Sequence, residues 1–143
     1  MQKIERSGLE RNECFLDDDG ILRIVDHGVS TEGANKTIAD IIIEVSKKFR
    51  AEGKPVLVIV DVTDMIRSTF RARQQAAKDS KRVDIDGLCY VVGKNSYGRM
   101  LLKIALRLFD QNKFHGADTV EEARLWLFDY KSRNIAKNNG GLS

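Results

Sequence analysis

Lys54 to Arg73, KPVLVIVDVTDMIRSTFRAR, is the stretch that decides the fold. Val56 to Val60 is an unbroken, mostly β-branched apolar run, the composition of a strand covered on both faces as in a parallel sheet. The run ends in Asp61 and Thr63, passes the hydroxyls of Ser68 and Thr69, and enters a segment with Arg67, Arg71 and Arg73 that reads as a helix. Open α/β sheets place their sites where a strand hands polar side chains to a following helix.

Toward the amino end, Ala34, Ile38, Ile41, Ile42, Val45 and Phe49 recur at spacings of three and four, which predicts a helix over Thr31 to Glu52. Gly53 and Pro55 stop it. Before it, CFL and ILRIV flank Asp17-Asp18-Asp19-Gly20, a β-hairpin over Glu13 to Asp26 with Gly20 supplying the positive φ of the turn. The acidic run is no calcium loop: aligning Gly20 to the glycine of an EF-hand puts Phe15 where the first carboxylate is required.

Toward the carboxyl end, Gly87 to Val92 is a second buried strand, followed by a helix from Ser96 to Asp110 with Tyr97, Met100, Leu101, Ile104, Ala105 and Leu108 on its inner face. Lys113 to Gly116 reads as a short edge strand. Thr119 with Glu122 forms a capping box for a last helix that turns Ala123, Trp126, Leu127 and Tyr130 inward. The expected architecture is a single α/β domain: an N-terminal β-hairpin, then β-α repeats, giving a mixed, largely parallel sheet of about five strands with four helices mainly on one face. Residues 1–12 read as an N-terminal extension, 13–133 as the domain, and 134–143 as a polar, glycine-rich flexible tail.

The 143 residues are 42% hydrophobic and 31% charged, which suits one compact core. No apolar run approaches the roughly 20 residues of a membrane span, and the opening MQKIERSGLERNE has no hydrophobic signal segment, so a cytoplasmic location is expected. Cys14 and Cys89 lie in apolar runs and read as buried free thiols. His27 and His115 have no cysteine or histidine at ligand spacing and read as turn or surface residues; neither metal nor cofactor is called for.

The net charge of +3 is unevenly spread: between Arg67 and Arg82 six basic residues face Asp79 alone, and the rest of the chain is slightly acidic. If the helix includes Arg67, then Arg67, Arg71, Lys78 and Arg82 share one face, with Thr69, Ala72, Ala76 and Ser80 opposite for close packing. A solvated basic face needs no partner, but it also suits an acidic protein, an anionic small ligand or a lipid headgroup. Nucleic acid is disfavoured, because no aromatics are interleaved for base stacking.

Gly93 to Arg99, GKNSYGR, opens the next helix with Asn95 or Ser96 as its cap; Met100 stands where a phosphate loop needs a hydroxyl. No Gly-x-Ser-x-Gly elbow occurs and neither histidine follows a strand-to-helix turn, so catalysis is not expected.

Three segments resemble the STAS superfamily, and within it the SpoIIAA-like stand-alone bacterial proteins (anti-sigma factor antagonist-like). They are VLVIVDVTDMIRSTFRAR, LCYVVGKNSYGRMLLK and FHGADTVEEARLWL, and the resemblance covers about residues 13 to 130. It implies binding of another protein, kinase-like or regulator-like, or of a small ligand, rather than catalysis. It also implies a phosphorylated hydroxyl at the helix start, which falls on Ser68 or Thr69. Here Arg67-Ser68-Thr69-Phe70 replaces the family's Asp-Ser-Ser-Gly run. The expected binding surface joins Asp61, Thr63, Arg67, Ser68, Thr69 and Arg71 on one connection with Asn95, Ser96 and Arg99 on its neighbour. A protein-interaction module is the first reading. A small-molecule or lipid carrier using the same crevice, with Arg67, Arg71 or Arg99 at the ligand's head, is the second. Either is compatible with a homodimer.

Overall fold

A computed structural model of the chain describes residues 1–108 and 112–141, with side chains through 132 apart from those of 108 and 130. The strands are β1 (Gln2–Ile4), β2 (Glu13–Leu16), β3 (Ile21–Ser30), β4 (Leu57–Ser68), β5 (Gly87–Val91) and β6 (Phe114–Ala117). The α-helices are α1 (Glu32–Ala51), α2 (Phe70–Asp79), α3 (Ser96–Leu108) and α4 (Val120–Gly141). The strands lie side by side in chain order, antiparallel from β1 to β3 and parallel from β3 to β6. The sheet thus has six strands rather than about five, because Gln2–Ile4 of the expected extension pairs with β2. The expected end of α3 at Asp110 and the inward placement of the Leu108 and Tyr130 side chains lie outside the described residues. The backbone of α4 continues through Asn134, where composition suggests a tail.

Local signals explain the element ends. Thr31 caps α1 by accepting the Ala34 N–H (3.2 Å), and Gly53 leaves the helix at φ +70°. Gly20 closes the β2–β3 hairpin at φ +83°, and its N–H bonds the Asp17 carbonyl at 3.0 Å. Thr119 caps α4 through the Glu122 N–H, and the Glu122 carboxylate accepts the Asp118 N–H in return, both at 3.1 Å.

Alternation along the strands sends side chains to two separate cores. Leu22, Ile24 and Val58 pack beneath Ile41, Ile42 and Phe49 of α1. Val62, Met65 and Val92 pack beneath Tyr97, Leu101 and Leu102 of α3. Residues of opposite parity, Leu57, Ile59, Cys89 and Val91, pack under Ala123 and Leu127 of α4. Two helices, α1 and α3, therefore serve one face and α4 covers the other, with α2 packed against α1, so the paired parts of β4 and β5 are covered on both sides. Each fully buried large side chain contributes about 1.5 to 3 kcal/mol. Cys14 and Cys89 are free thiols in different cores, and burial pushes both up to about 12.

The sequence places Met100 and Ile104 on the buried face of α3, but both are 48% exposed; the inward positions are Tyr97, Leu101 and Leu102. Leu102 lies so close to Gly116 of β6 that a Cβ there would sit 2.2 Å from its Cδ2, which draws the contact face of the helix toward that edge. The small residues of α2 do not meet the sheet as expected. Ala72 is buried, with its carbonyl accepting the Asn35 side-chain amide of α1 at 3.0 Å, whereas Ala76 is exposed.

Candidate interaction site

The largest departure from expectation lies in the deciding stretch itself. Asp61, Thr63, Arg67 and Ser68 belong to β4, not to a loop or helix start, because β3 also continues, to Ser30, and pairs with β4 as far as Ser30↔Ser68. The ladder to β5 ends at Asp61↔Val91. Beyond that point β3 and β4 form a two-stranded parallel ribbon, with register shifts between Val25 and His27 and between Gly28 and Val29. Parallel pairs seldom stand alone, so the outer edge of the ribbon needs partners.

The β5–α3 connection supplies them. Asn95 donates its side-chain amide to the carbonyls of Val62 (2.8 Å) and Met65 (2.6 Å), and its Oδ1 accepts the Gly98 N–H (3.0 Å) as the cap of α3. Two residues on, the Tyr97 hydroxyl accepts the Ser68 N–H (3.2 Å) and lies 2.9 Å from Ser68 Oγ. Its hydrogen bond with the Ser68 side chain, helped by the nearby Arg73 charge, lowers the Tyr97 pKa from the ordinary phenol value. Arg73 of α2 donates to the Ser68 carbonyl (2.7 Å) and to the Tyr97 hydroxyl (3.2 Å). Two connections expected as neighbouring loops are thus in direct contact, hydrogen-bonded from Val62 to Ser68.

The expected site residues divide by what they touch. Ser68, 8% exposed, is held by Tyr97 and Arg73 and is the last residue of β4 rather than part of the helix. Thr69 is the cap of α2, its Oγ1 accepting the Ala72 N–H at 3.0 Å. Asp61 Oδ1 accepts both the N–H (3.0 Å) and the hydroxyl (2.7 Å) of Thr63. Asn95 is structural, and Ser96 is exposed. Arg99 donates to the Gly93 carbonyl and to Asp118, each at 2.8 Å. Arg67 and Arg71 are exposed, and among the described residues neither forms an ion pair. The expected single basic helical face does not form: Arg67 stands on a strand, and Arg82, past the end of α2, pairs with Asp79 (2.8 Å) and Asp40 (3.4 Å).

Sequence reasoning missed the surroundings of His27. Its Nδ1 lies 2.5 Å from Asp64 Oδ2 on β4 and its Nε2 2.8 Å from Glu13 Oε1 on β2. A neutral imidazole donates one hydrogen bond, so both contacts are complete only in the imidazolium, and the Asp64 and Glu13 bonds raise the His27 pKa above 6.5. Neighbouring Asp26 is buried with Oδ1 unpartnered, and desolvation pushes it up to about 6. Asp17 and Asp19 of the hairpin turn are held by Arg124 of α4, Asp19 at 2.7 Å. Among the described residues no group of histidine, cysteine and carboxylate side chains is placed to hold a metal ion, and no helix is long and apolar enough to cross a membrane.

No family model matches the chain, and neither does any curated protein. Among solved structures it is similar to an uncharacterized protein of the DUF3478 family from Shewanella loihica PV-4, described as having a SpoIIAA-like fold. The two share 13% identity and a TM-score of 0.62, over 87% of this chain and 99% of that one. The strand order, the capped connection after β5 and this structural likeness together identify the fold of the chain as SpoIIAA-like.

Proposed function

We propose that the protein is a non-catalytic, STAS-type interaction module that docks another protein through the β4–α2 junction. The observation that carries this reading is the contrast at the junction between sealed and unsealed groups. Asn95, Tyr97 and Arg73 fix the backbone from Val62 to Ser68, while Arg67 and Arg71 stand exposed and unpaired among the described residues. A rigid backbone presenting unspent cations loses little freedom on binding, so an acidic partner surface is recognised at low entropic cost. Of the two hydroxyls, Thr69 is the one a kinase reaches. A phosphoryl group there adds about −1.5 to −2 charges at the N-terminus of α2, next to Arg71, and largely cancels the positive charge of the docking surface.

Quantitative pull-down from lysate of the source cells, comparing wild type with an Arg67→Glu, Arg71→Glu variant and with Thr69→Glu, tests this. A protein recovered by wild type and lost from both variants supports the module; equal recovery by all three removes the junction as its docking surface.

A further inference from the structure

We infer that the outer edge of β1 is the interface at which two copies of this chain pair, antiparallel and about a two-fold axis through Ile4. This interface is separate from the β4–α2 junction. β1 is the first strand of the sheet, paired with β2 on one side and with no strand on the other among the described residues. An open edge is a template for a further strand unless it is covered or blunted. The backbone past Ile4 prolongs that template, since Arg6 is still extended at φ −146° and ψ 137°. Two hollows, of about 250 and 430 Å³, flank Lys3 to Arg6. The smaller lies between β1 and α1 and has an apolar wall of Ile4, Leu16, Ile41, Val45 and Phe49.

The sequence of the edge selects its occupant. Set against a second copy running the other way, Gln2-Lys3-Ile4-Glu5-Arg6 is its own complement. Lys3 faces Glu5 of the second copy, Glu5 faces its Lys3, Ile4 faces its Ile4, and Gln2 faces its Arg6. Directly opposed residues of an antiparallel pair share a face, where opposite charges stabilise and like charges repel. Both charged residues are available for this arrangement. The Glu5 side chain is exposed and forms no ion pair among the described residues, and Lys3 holds Glu13 only loosely, at 3.7 Å. Alternation along the strand puts Ile4 on the opposite face, packed against the α1 core, so the incoming Ile4 lies over the hollow between β1 and α1. Arg6 is anchored at that hollow by Glu44 of α1, at 2.7 Å. An unrelated extended peptide gains the backbone bonds alone. A second copy gains them together with both charge pairs and the apolar contact, and the two-fold closes the assembly at a dimer.

Sedimentation equilibrium of the full chain across the micromolar range is the test, with Lys3→Glu and Glu5→Lys studied separately and as an equal mixture. Wild type is expected to dimerise. Each variant alone sets like charges opposite one another twice per dimer and should weaken association roughly tenfold. The mixture sets two carboxylates of one chain against two ammonium groups of the other and should recover the association that each variant lacks. Both positions are exposed, and an unchanged circular dichroism spectrum confirms that the variants fold. A wild type that stays monomeric, a dimer indifferent to both substitutions, or a mixture no more associated than its components would overturn the inference. Arg67, Thr69 and Arg71 are intact in these variants, so pull-down through the junction succeeds or fails independently.

Discussion

His27 on β3 and Asp64 on β4 meet at 2.5 Å across the first register shift of the ribbon, and Glu13 holds the other ring nitrogen at 2.8 Å. The imidazolium is therefore a cross-strand tie among β2, β3 and β4. Because its pKa is raised in the fold, the stabilisation it gives is complete below about pH 6.5 and is lost as pH rises through the folded value. An NMR titration of the His27 ring should show a midpoint above 6.5 that falls toward it in Asp64→Asn. A wild-type midpoint at or below 6.5 would show the tie absent.

Asp26 acts in the same direction over a lower window. Its carboxyl, 8% exposed, is raised from 3.8 to about 6, so ionisation increasingly opposes folding as pH climbs through that range. Asp26→Asn should raise stability at about pH 8 by roughly 1 to 3 kcal/mol and give no gain near pH 4. Urea unfolding at the two pH values decides it, and a gain of equal size at both would assign the effect to packing.

Asn95 both caps α3 and seals the ribbon edge, and the two roles separate by substitution. Asn95→Ala loses the cap and leaves the Val62 and Met65 carbonyls short of a donor, for about 2 kcal/mol. Asn95→Asp keeps the cap acceptor but turns a carboxylate oxygen toward those carbonyls. It should be at least as damaging as alanine, with faster amide exchange over residues 62–68. A neutral Asn95→Asp would mean that only the cap matters.

Arg124 secures the hairpin turn to α4. Asp17 has a side chain only 3% exposed, so Arg124→Ala leaves a buried carboxylate without its counter-charge and should cost about 3 to 5 kcal/mol in thermal or urea unfolding. Adding Asp17→Asn should recover part of that loss. If the double variant is as unstable as the single one, packing of the Arg124 stem rather than charge is responsible.

The legible parts of this fold are those whose signals are local. Thr31, Gly20, Gly53 and the Thr119–Glu122 box act within a few residues, and the stripe of α1 repeats every turn. The continuation of β4 was not legible, because VTDMIRS lacks strand alternation. Two register shifts break the period, and the pairing partner is the equally polar DHGVS of β3. His27 appeared solitary because its partners are 14 and 37 residues away and meet it only through that ladder. Asn95 was readable as a cap, but its amide bonds to Val62 and Met65 span 33 and 30 residues. Residue type located the junction; long-range register decided which of its groups face outward.

The placement of α4 on its own side of the sheet has a consequence for biosynthesis. Ile21, Leu57, Ile59, Cys89 and Val91 emerge from the ribosome long before Ala123 and Leu127, the residues that cover them. Until that final helix clears the exit tunnel, a nascent chain with every strand already made still bares a greasy patch, and during that interval it is a natural client for a chaperone.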